Sequence, residues 1–122
     1  MRIRVIAQAR EDFHKWEQAQ LVIPATPLSG QAAQGAQDFQ QLSCASCHTI
    51  RGTPAHARIG PNLTHVASRE TLAAGRLDNT RADLAKWLLD PNLVKPGCKM
   101  PNLHLPRQQQ DELVAYWRHS SE

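Results

Sequence analysis

The sequence has few aromatic residues and no long apolar run. Its 122 residues include three Trp, two Phe and one Tyr, which is a thin supply for the core of a domain of this length. A bound apolar cofactor would help to fill such a core. No stretch approaches the length of a transmembrane helix, and the opening MRIRVIAQAR lacks the apolar region of a secretory signal peptide. These residues therefore predict neither a membrane span nor an export signal.

Dense runs of one charge are also missing. The 14 Lys and Arg exceed the 11 Asp and Glu by three, but they are scattered along the chain. Proteins that bind nucleic acid usually present a basic patch or stripe, so no nucleic-acid partner is expected. A mild positive charge fits a protein that meets an acidic partner surface, because electrostatic steering speeds the encounter.

The first 30 residues differ in pattern from the rest. RIRVIA at 2–7 alternates charged and apolar residues as a half-buried strand does, and a helical pattern follows in REDFHKWEQAQLV. One strand cannot bury its own face, so residues 1–23 are expected to be the edge of another domain. Pro, Ser and Gly are then close together at 24–30, which is linker composition.

From residue 31 the pattern is helical with short loops. Helices are expected in AAQGAQDFQQLS, SRETLAAG, NTRADLAKWLLD and around DELVAYW. The second would run from Ser68 as N-cap to Gly75, and Thr80 with Asp83 would form a capping box for the third. Residues 31–122 are therefore predicted to be an all-α domain without strands.

The sequence CASCH at 44–48 is the attachment signal of a c-type haem. Two thiols three positions apart on a tight turn, those of Cys44 and Cys47, can reach both vinyl groups on one side of a porphyrin and form thioethers. His48 follows at once, so its imidazole would be held over the iron as the proximal ligand. Covalent capture prevents the haem from dissociating, which suits a protein that cycles electrons.

The cysteines also allow other chemistry. A Cys₃His zinc site could use Cys44, Cys47, His48 and Cys98, although Cys47 beside His48 would strain a tetrahedral cage. A thioredoxin-like redox pair would need a βαβ context, and a structural disulfide would leave Cys98 odd and would not need His48. Haem attachment is therefore the favoured interpretation, and a zinc-binding interaction module is the alternative.

A haem held by His48 needs a sixth iron ligand or an open coordination position. Met100 is the only methionine between residues 31 and 122 and lies in a Pro-rich loop, and a thioether can ligate haem iron. His104, four residues further on, is the second candidate. We expect His48 and Met100 to bind the iron, whereas a haem enzyme or gas sensor would require Met100 to be away from it.

Several motifs together resemble class I cytochromes c. They are CASCH, GPNL at 60–63, TRADLAKWLLDP at 80–91, KPGCKMP at 95–101 and DELVAYW at 111–117. The resemblance implies the class I cytochrome c fold, with Met100 as an axial ligand and a His48 ring N–H hydrogen-bonded to the Pro61 carbonyl oxygen. It also places Gly35 and Phe39 where the first and last helices of the domain cross.

The same resemblance assigns residues around the haem. The side chains that would wall it from water are Leu63, Leu84, Trp87, Leu88 and Leu103. Cys98 departs from the family, in which a small hydroxyl or amide residue often stands two places before the ligand methionine and donates toward a haem propionate. A thiol is a weaker donor, so this contact is expected to be looser here.

The resemblance extends to the beginning of the chain. RVIAQAREDFHKWEQAQ looks like the end of the dicopper domain in subunit II of a haem–copper cytochrome c oxidase, and the region from GPNL to KMP is similar to the cytochrome c domain fused to that subunit in caa-type oxidases. Residues 1–23 would then be the edge of the dicopper domain, 24–30 a linker and 31–122 the cytochrome c domain. Met1 would stand at the last copper-ligand position or be only a start codon. The other copper ligands are missing, so no copper site is expected.

The implied function is electron entry into an oxidase. The domain would take one electron from a respiratory donor, which could be a cytochrome, an iron–sulfur protein or a quinol-oxidising complex, and pass it to the dicopper centre of its own oxidase. Oxygen chemistry would belong to subunit I. Since covalent haem attachment happens outside the cytoplasm, the chain is expected on the periplasmic or extracytoplasmic face of the membrane, as part of a longer, membrane-anchored subunit. A free periplasmic electron shuttle is the alternative.

Overall fold

Helices dominate the computed structural model, which describes residues 2–119 of the chain. Residues 2–119 form five helices, which are α1 (Arg10–Leu21), α2 (Gly30–Gln41), α3 (Arg81–Leu89), α4 (Pro91–Val94) and α5 (Arg107–His119). Two 3₁₀ turns, Ser43–Ser46 and Val66–Ser68, and one antiparallel hairpin of β1 (Thr71–Leu72) and β2 (Leu77–Asp78) complete the regular structure. The fold is therefore all-α, as predicted. Within the described residues, no helix is both long enough and apolar enough to span a bilayer.

The core is built where α2 crosses α5. Gly35 faces α5 so closely that an added Cβ would lie 2.9 Å from Tyr116 Cβ and would overlap the backbone carbonyl of Glu112. Phe39 is fully buried, and its ring centroid lies 6.1 Å from that of Tyr116 and 6.2 Å from that of Trp117, distances at which tilted aromatic pairs are favourable. The crossing that the cytochrome resemblance implied for Gly35 and Phe39 is present.

Helix α3 starts and ends at the residues that its sequence predicts. The Thr80 side-chain oxygen accepts a hydrogen bond from the Asp83 backbone N–H at 3.1 Å, which satisfies one of the free donors of the first turn. Leu84 and Leu88, one turn apart, are buried against the core. The helix ends before Pro91, which then occupies the first turn of α4, a position that suits proline.

The helix predicted from Ser68 to Gly75 is wrong. The chain there forms the 3₁₀ turn and the β1–β2 hairpin, so the prediction of no strands is also wrong. Ala73, Ala74 and Gly75 all have positive φ, at 51°, 58° and 82°, and such a left-handed run cannot be part of a right-handed helix. The Asn79 amide holds this loop by donating to the backbone carbonyls of Val66 and Arg69, both at 2.7 Å.

The strand predicted over residues 2–7 is not formed. This segment is irregular and exposed, and it contacts the hairpin region through Arg2 N–H to the Ala74 carbonyl at 3.1 Å and an ion pair between Arg4 and Glu70. A strand needs a neighbour to satisfy its backbone, and no described segment pairs with it. Helix α1 does form, but none of its residues is buried. The predicted copper-ligand position, Met1, lies outside the described residues.

A pair of buried carboxyl groups lies at the same helix crossing. Asp38 on α2 and Glu112 on α5 are about 95% buried, and Glu112 accepts a hydrogen bond from Gln108 at 2.9 Å. Burial raises the pKa of Asp38, and the neighbouring Glu112 adds to the increase, whereas a hydrogen bond with Gln34 opposes it. Two acidic groups in contact away from water favour retention of a proton by Asp38.

The pH dependence of stability should follow from this pair. The folded pKa of Asp38 lies above its unfolded value of about 4, so its contribution to stability is fully present below about pH 4 and is lost as the pH rises through the folded pKa. Asn has the same side-chain shape as Asp but cannot ionise. We therefore expect the free energy of unfolding of Asp38→Asn to fall less than that of wild type as the pH rises. Urea unfolding of the protein between pH 4 and 8 measures this, with Asp12→Asn on the exposed α1 as control. Parallel curves for wild type and Asp38→Asn would contradict the assignment.

Candidate haem-attachment site

The CASCH motif forms a tight turn directly after α2. Ser43–Ser46 is a 3₁₀ turn, and the carbonyl oxygen of Cys44 accepts from the backbone N–H groups of both Cys47, at 3.1 Å, and His48, at 3.0 Å. These bonds wind the three reactive side chains around one short turn, as thioether attachment on one side of a porphyrin requires. Cys44 and Cys47 are both free thiols, so the alternative of a disulfide between them is not formed.

The imidazole of His48 is held in one orientation. Its side chain is buried at 9% exposure, and Nδ1–H donates to the Pro61 carbonyl oxygen at 2.7 Å. Because Nδ1 carries the proton in this hydrogen bond, Nε2 keeps its lone pair for a metal. Gly60 makes room for the ring, since a Cβ at this residue would lie 2.5 Å from Cε1 and 2.7 Å from Nδ1 of His48.

The GPNL loop that carries Pro61 is itself tied to the CASCH turn. Gly60 N–H donates to the Cys47 carbonyl at 2.6 Å, and Leu63 N–H donates to the Thr49 carbonyl at 2.8 Å. Asn62 Oδ1 accepts from the backbone N–H and the hydroxyl of the buried Thr64 at 2.9 and 2.6 Å. The Pro61 carbonyl that accepts from His48 is therefore held in place by hydrogen bonds of Gly60 before it and of Asn62 and Leu63 after it.

The two candidates for the sixth ligand differ in their surroundings. Met100 is partly buried and packs against the hydrophobic core, as does Leu103, whereas His104 is exposed and has a positive φ of 51°. The Met100 backbone is held by the Asn92 amide, which donates to its carbonyl oxygen at 3.4 Å. The structure therefore favours Met100 over His104 as the side chain that reaches the core.

Two other predicted site residues are partly exposed. Leu63 is half-buried and packs against the hydrophobic core, and Trp87 on α3 is half-buried. The Cys98 thiol points back to the Met100 carbonyl oxygen, at 3.8 Å, which is a weak hydrogen bond. In this position Cys98 helps to close the loop that carries Met100.

A zinc site is not present in the part of the chain that the structure describes. Among residues 2–119, no three His, Cys, Asp or Glu side chains come together as metal ligands, so Cys98 does not complete a Cys₃His set. Burial also raises the pKa of the Cys44 thiol, with the nearby Asp38 adding to the increase. A zinc ligand must be a thiolate, so this environment disfavours the zinc alternative.

The residues present fit a covalently attached haem. Two free thiols on one turn, a neighbouring imidazole with Nε2 available and a thioether packed against the core are the donor set that such a group needs. The GPNL motif carries part of the family resemblance, but the sequence predicted no role for Gly60 or Asn62, and sequence reasoning missed Arg69, whose side chain donates to the Asn62 carbonyl. Gly60 could have been found, because a glycine directly before a histidine-binding proline is a candidate for close approach.

Comparison with known proteins agrees with this fold and this site. A model of the cytochrome c family matches residues 32–121, and the chain belongs to that family, whose members carry haem c and transport electrons. More particularly, the chain is homologous to cytochrome c oxidase subunit 2. It is 33% identical over 119 residues to that of Alkalihalophilus pseudofirmus, 33% over 121 residues to that of Bacillus sp. PS3, and 29% over 122 residues to that of Bacillus subtilis.

These alignments cover 97%, 95% and 98% of this chain respectively, but 34% of each relative. The chain therefore spans about a third of the length of the relatives that it matches. The similarity therefore includes most of the first 30 residues as well as the cytochrome c region.

Proposed function

We propose that residues 31–122 hold one covalent haem c and carry single electrons into a cytochrome c oxidase. The observation that carries the proposal is the CASCH turn, with two free thiols and with His48 Nδ1 bonded to the Pro61 carbonyl at 2.7 Å. Electron transport is what membership of the cytochrome c family supports. The haem would supply a ferric–ferrous couple that takes up and releases one electron.

Each site residue has a defined task in this proposal. Cys44 and Cys47 would hold the haem by thioethers, and His48 and Met100 would supply the imidazole and thioether ligands of its iron. A methionine opposite a histidine raises the reduction potential, and the Pro61 carbonyl fixes the orientation of the imidazole. Leu63 and Trp87 exclude water, together with Leu84, Leu88 and Leu103. Cys98 supports the Met100 loop through its contact with the Met100 carbonyl.

Replacing Met100 should change the iron ligation without removing the haem. In Met100→Ala the thioether is gone while Cys44 and Cys47 remain, so we expect loss of the ferric iron–thioether charge-transfer band and new binding of carbon monoxide by the ferrous protein. The reduction potential should fall, because methionine is the ligand that raises it. His104→Ala is the matched control from the same loop and should behave as wild type. If His104→Ala instead loses the native spectrum and Met100→Ala keeps it, the ligand assignment is wrong.

The proposed acceptor is the dicopper centre of the oxidase to which this domain belongs. The relatives aligned along nearly the whole chain are named cytochrome c oxidase subunit 2, which supports association with subunit I of such an oxidase. The donor would be a cytochrome, an iron–sulfur protein or a quinol-oxidising complex. Oxygen reduction and proton translocation would take place elsewhere in the assembly, so this domain alone would be a carrier.

In the same proposal residues 1–23 are the edge of the dicopper domain, 24–30 are a linker and 31–122 are the cytochrome c domain. The chain would lie on the periplasmic or extracytoplasmic face of the membrane and would be anchored through the rest of the subunit. Covalent linkage places the haem at a high effective concentration near its acceptor. The alternative is that the cytochrome c domain works as a free periplasmic shuttle, which would reach its acceptor by diffusion because it is not covalently linked to it.

Reduction kinetics of the oxidase distinguish the two arrangements. After rapid reduction of the haem in the intact oxidase, we expect dicopper reduction at a rate that does not change when the protein is diluted tenfold, because the step is intramolecular. The isolated cytochrome domain added to oxidase that lacks it is the control, and its transfer rate should fall in proportion to dilution. A dilution-dependent rate in the intact oxidase would favour the shuttle.

A further inference from the structure

The end of α1 is bound to the cytochrome region through its backbone. The Arg51 guanidinium donates to the carbonyl oxygen of Gln20. His65 Nε2 lies 3.0 Å from the same oxygen and 2.9 Å from Arg51 Nη2. Both side chains belong to loops of the cytochrome region, and they are 31 and 45 residues from Gln20 along the chain. We call Gln20, Arg51 and His65 the latch.

The residues after the latch touch the surface of the cytochrome region at a few points, although most of them are exposed. Gly52 provides space for Ile23, since a Cβ at this residue would lie 2.6 Å from Ile23 Cγ2. Residues 24–26 enclose, with Tyr116 and Trp117 among others, a cavity of only about 20 Å³, which is close to the space of one water molecule. Pro27 is buried. We call residues 21–28 the strap, because they follow this surface with Pro24 and Pro27 turned toward it and the other side chains exposed.

The latch is also connected to the loop that orients His48. The backbone N–H of Arg51 donates to the Thr64 hydroxyl at 2.9 Å, and that hydroxyl donates to Asn62 Oδ1 at 2.6 Å. Asn62 directly follows Pro61, whose carbonyl accepts from His48. One continuous set of hydrogen bonds therefore joins the end of α1 to the loop that positions the candidate iron ligand.

From these contacts we infer that Arg51 and His65 lock the strap onto the cytochrome domain, so that the domain is held in a set orientation to α1 and is not carried on a free tether. The composition of residues 24–30 predicts a flexible linker, but contacts with a folded surface restrict such a segment. The significance for electron delivery rests on the proposed function, because a set orientation fixes the path from the haem to its acceptor. The lock itself depends only on the contacts of Gln20, Arg51 and His65.

Limited proteolysis of the haem-loaded full chain tests the lock. Thermolysin cleaves before bulky apolar residues, and the strap offers Leu21, Val22, Ile23 and Leu28 with side chains at least 55% exposed. A protease needs an extended, released backbone, so cleavage follows local opening. We expect the double variant Arg51→Ala/His65→Ala to be cut between residues 21 and 28 at least about tenfold faster than wild type. It loses the charge-assisted hydrogen bond from Arg51 to the Gln20 carbonyl and the contact of His65 with both groups.

Two controls separate the lock from other effects. Arg58→Ala removes an exposed arginine from the same region and should be cut at the wild-type rate. The single variant His65→Gln keeps an amide that can reach the Gln20 carbonyl and should restore most of the protection lost in His65→Ala. Equal cleavage of wild type and double variant would show that the strap is free and would overturn the inference.

The haem spectrum of the same samples reports on the proposed function independently. Wild type without haem bands would contradict the electron-carrier proposal, while the cleavage comparison would still decide the lock. Unchanged haem bands in the rapidly cut double variant would show that the lock, and not the haem site, has been opened.

Discussion

Gly35→Ala should unfold the protein at much lower denaturant concentration than wild type. On an exposed helical surface this substitution stabilises, because alanine has the higher helix propensity by about 1 kcal/mol. At Gly35 the added methyl group would overlap the Glu112 carbonyl and press on Tyr116 Cβ, so α2 and α5 must move apart. Such overpacking costs about 3 kcal/mol, and the loss extends to Phe39, which is completely buried at the same crossing.

Equilibrium unfolding of the haem-loaded protein in guanidinium chloride measures this effect. Gln37→Ala, at an exposed position of α2, is the matched control and should leave the midpoint nearly unchanged. A midpoint for Gly35→Ala equal to that of wild type would mean that the close approach of the two helices is not required.

The second large effect is expected from Gly60→Ala, which acts on the proposed iron ligand, His48, and not on the helix crossing. The new Cβ would lie within 2.5 to 2.7 Å of the Cε1 and Nδ1 atoms of His48, so the ring must turn and its hydrogen bond to the Pro61 carbonyl must break. Loss of such an outer partner costs about 10- to 100-fold in metal affinity. We therefore expect a large part of the ferric protein to become high-spin, with the haem still attached through Cys44 and Cys47.

The ferric absorption spectrum and its change on addition of imidazole measure the displacement of His48. Gly60 does not have a positive φ, so alanine introduces no backbone strain, and the effect must come from the Cβ atom. Ile59→Ala, at a neighbouring side chain that is 83% exposed, is the control and should keep the low-spin spectrum. A fully low-spin Gly60→Ala protein would show that the close packing of the His48 imidazole against Gly60 is not required for ligation.

The features that the sequence predicted well depend on local chemistry or on a strong motif. The Thr80 cap follows from the hydroxyl and backbone N–H groups of one helical turn. The i, i+3, i+4 spacing of Leu113, Tyr116 and Trp117 places these buried side chains on one face of α5. The His48–Pro61 hydrogen bond was implied by CASCH and GPNL together, although the two residues are 13 positions apart. The family resemblance of the two motifs predicted this long-range hydrogen bond, whereas hydrophobic periodicity predicts only local structure.

The features that were missed depend on backbone conformation or on contacts between distant segments. Ala73 and Ala74 are strong helix formers, yet both are left-handed in the hairpin turn, because the Asn79 amide and the β1–β2 pairing outweigh local propensity. The latch uses the backbone carbonyl of Gln20, and a backbone acceptor leaves no signature in side-chain identity. The burial of Asp38 beside Glu112 likewise exists only once α2 and α5 have met.

The central claim is that Cys44 and Cys47 hold a haem whose iron is ligated by His48 and Met100. The most direct test is the optical spectrum of the protein produced with an export signal and haem-maturation factors, recorded before and after extraction with acidified acetone. We expect the haem to stay with the protein after extraction, with sharp low-spin c-type bands on reduction that do not change with carbon monoxide. Protein that binds no haem, or haem that is fully extracted, would show that Cys44 and Cys47 do not hold it.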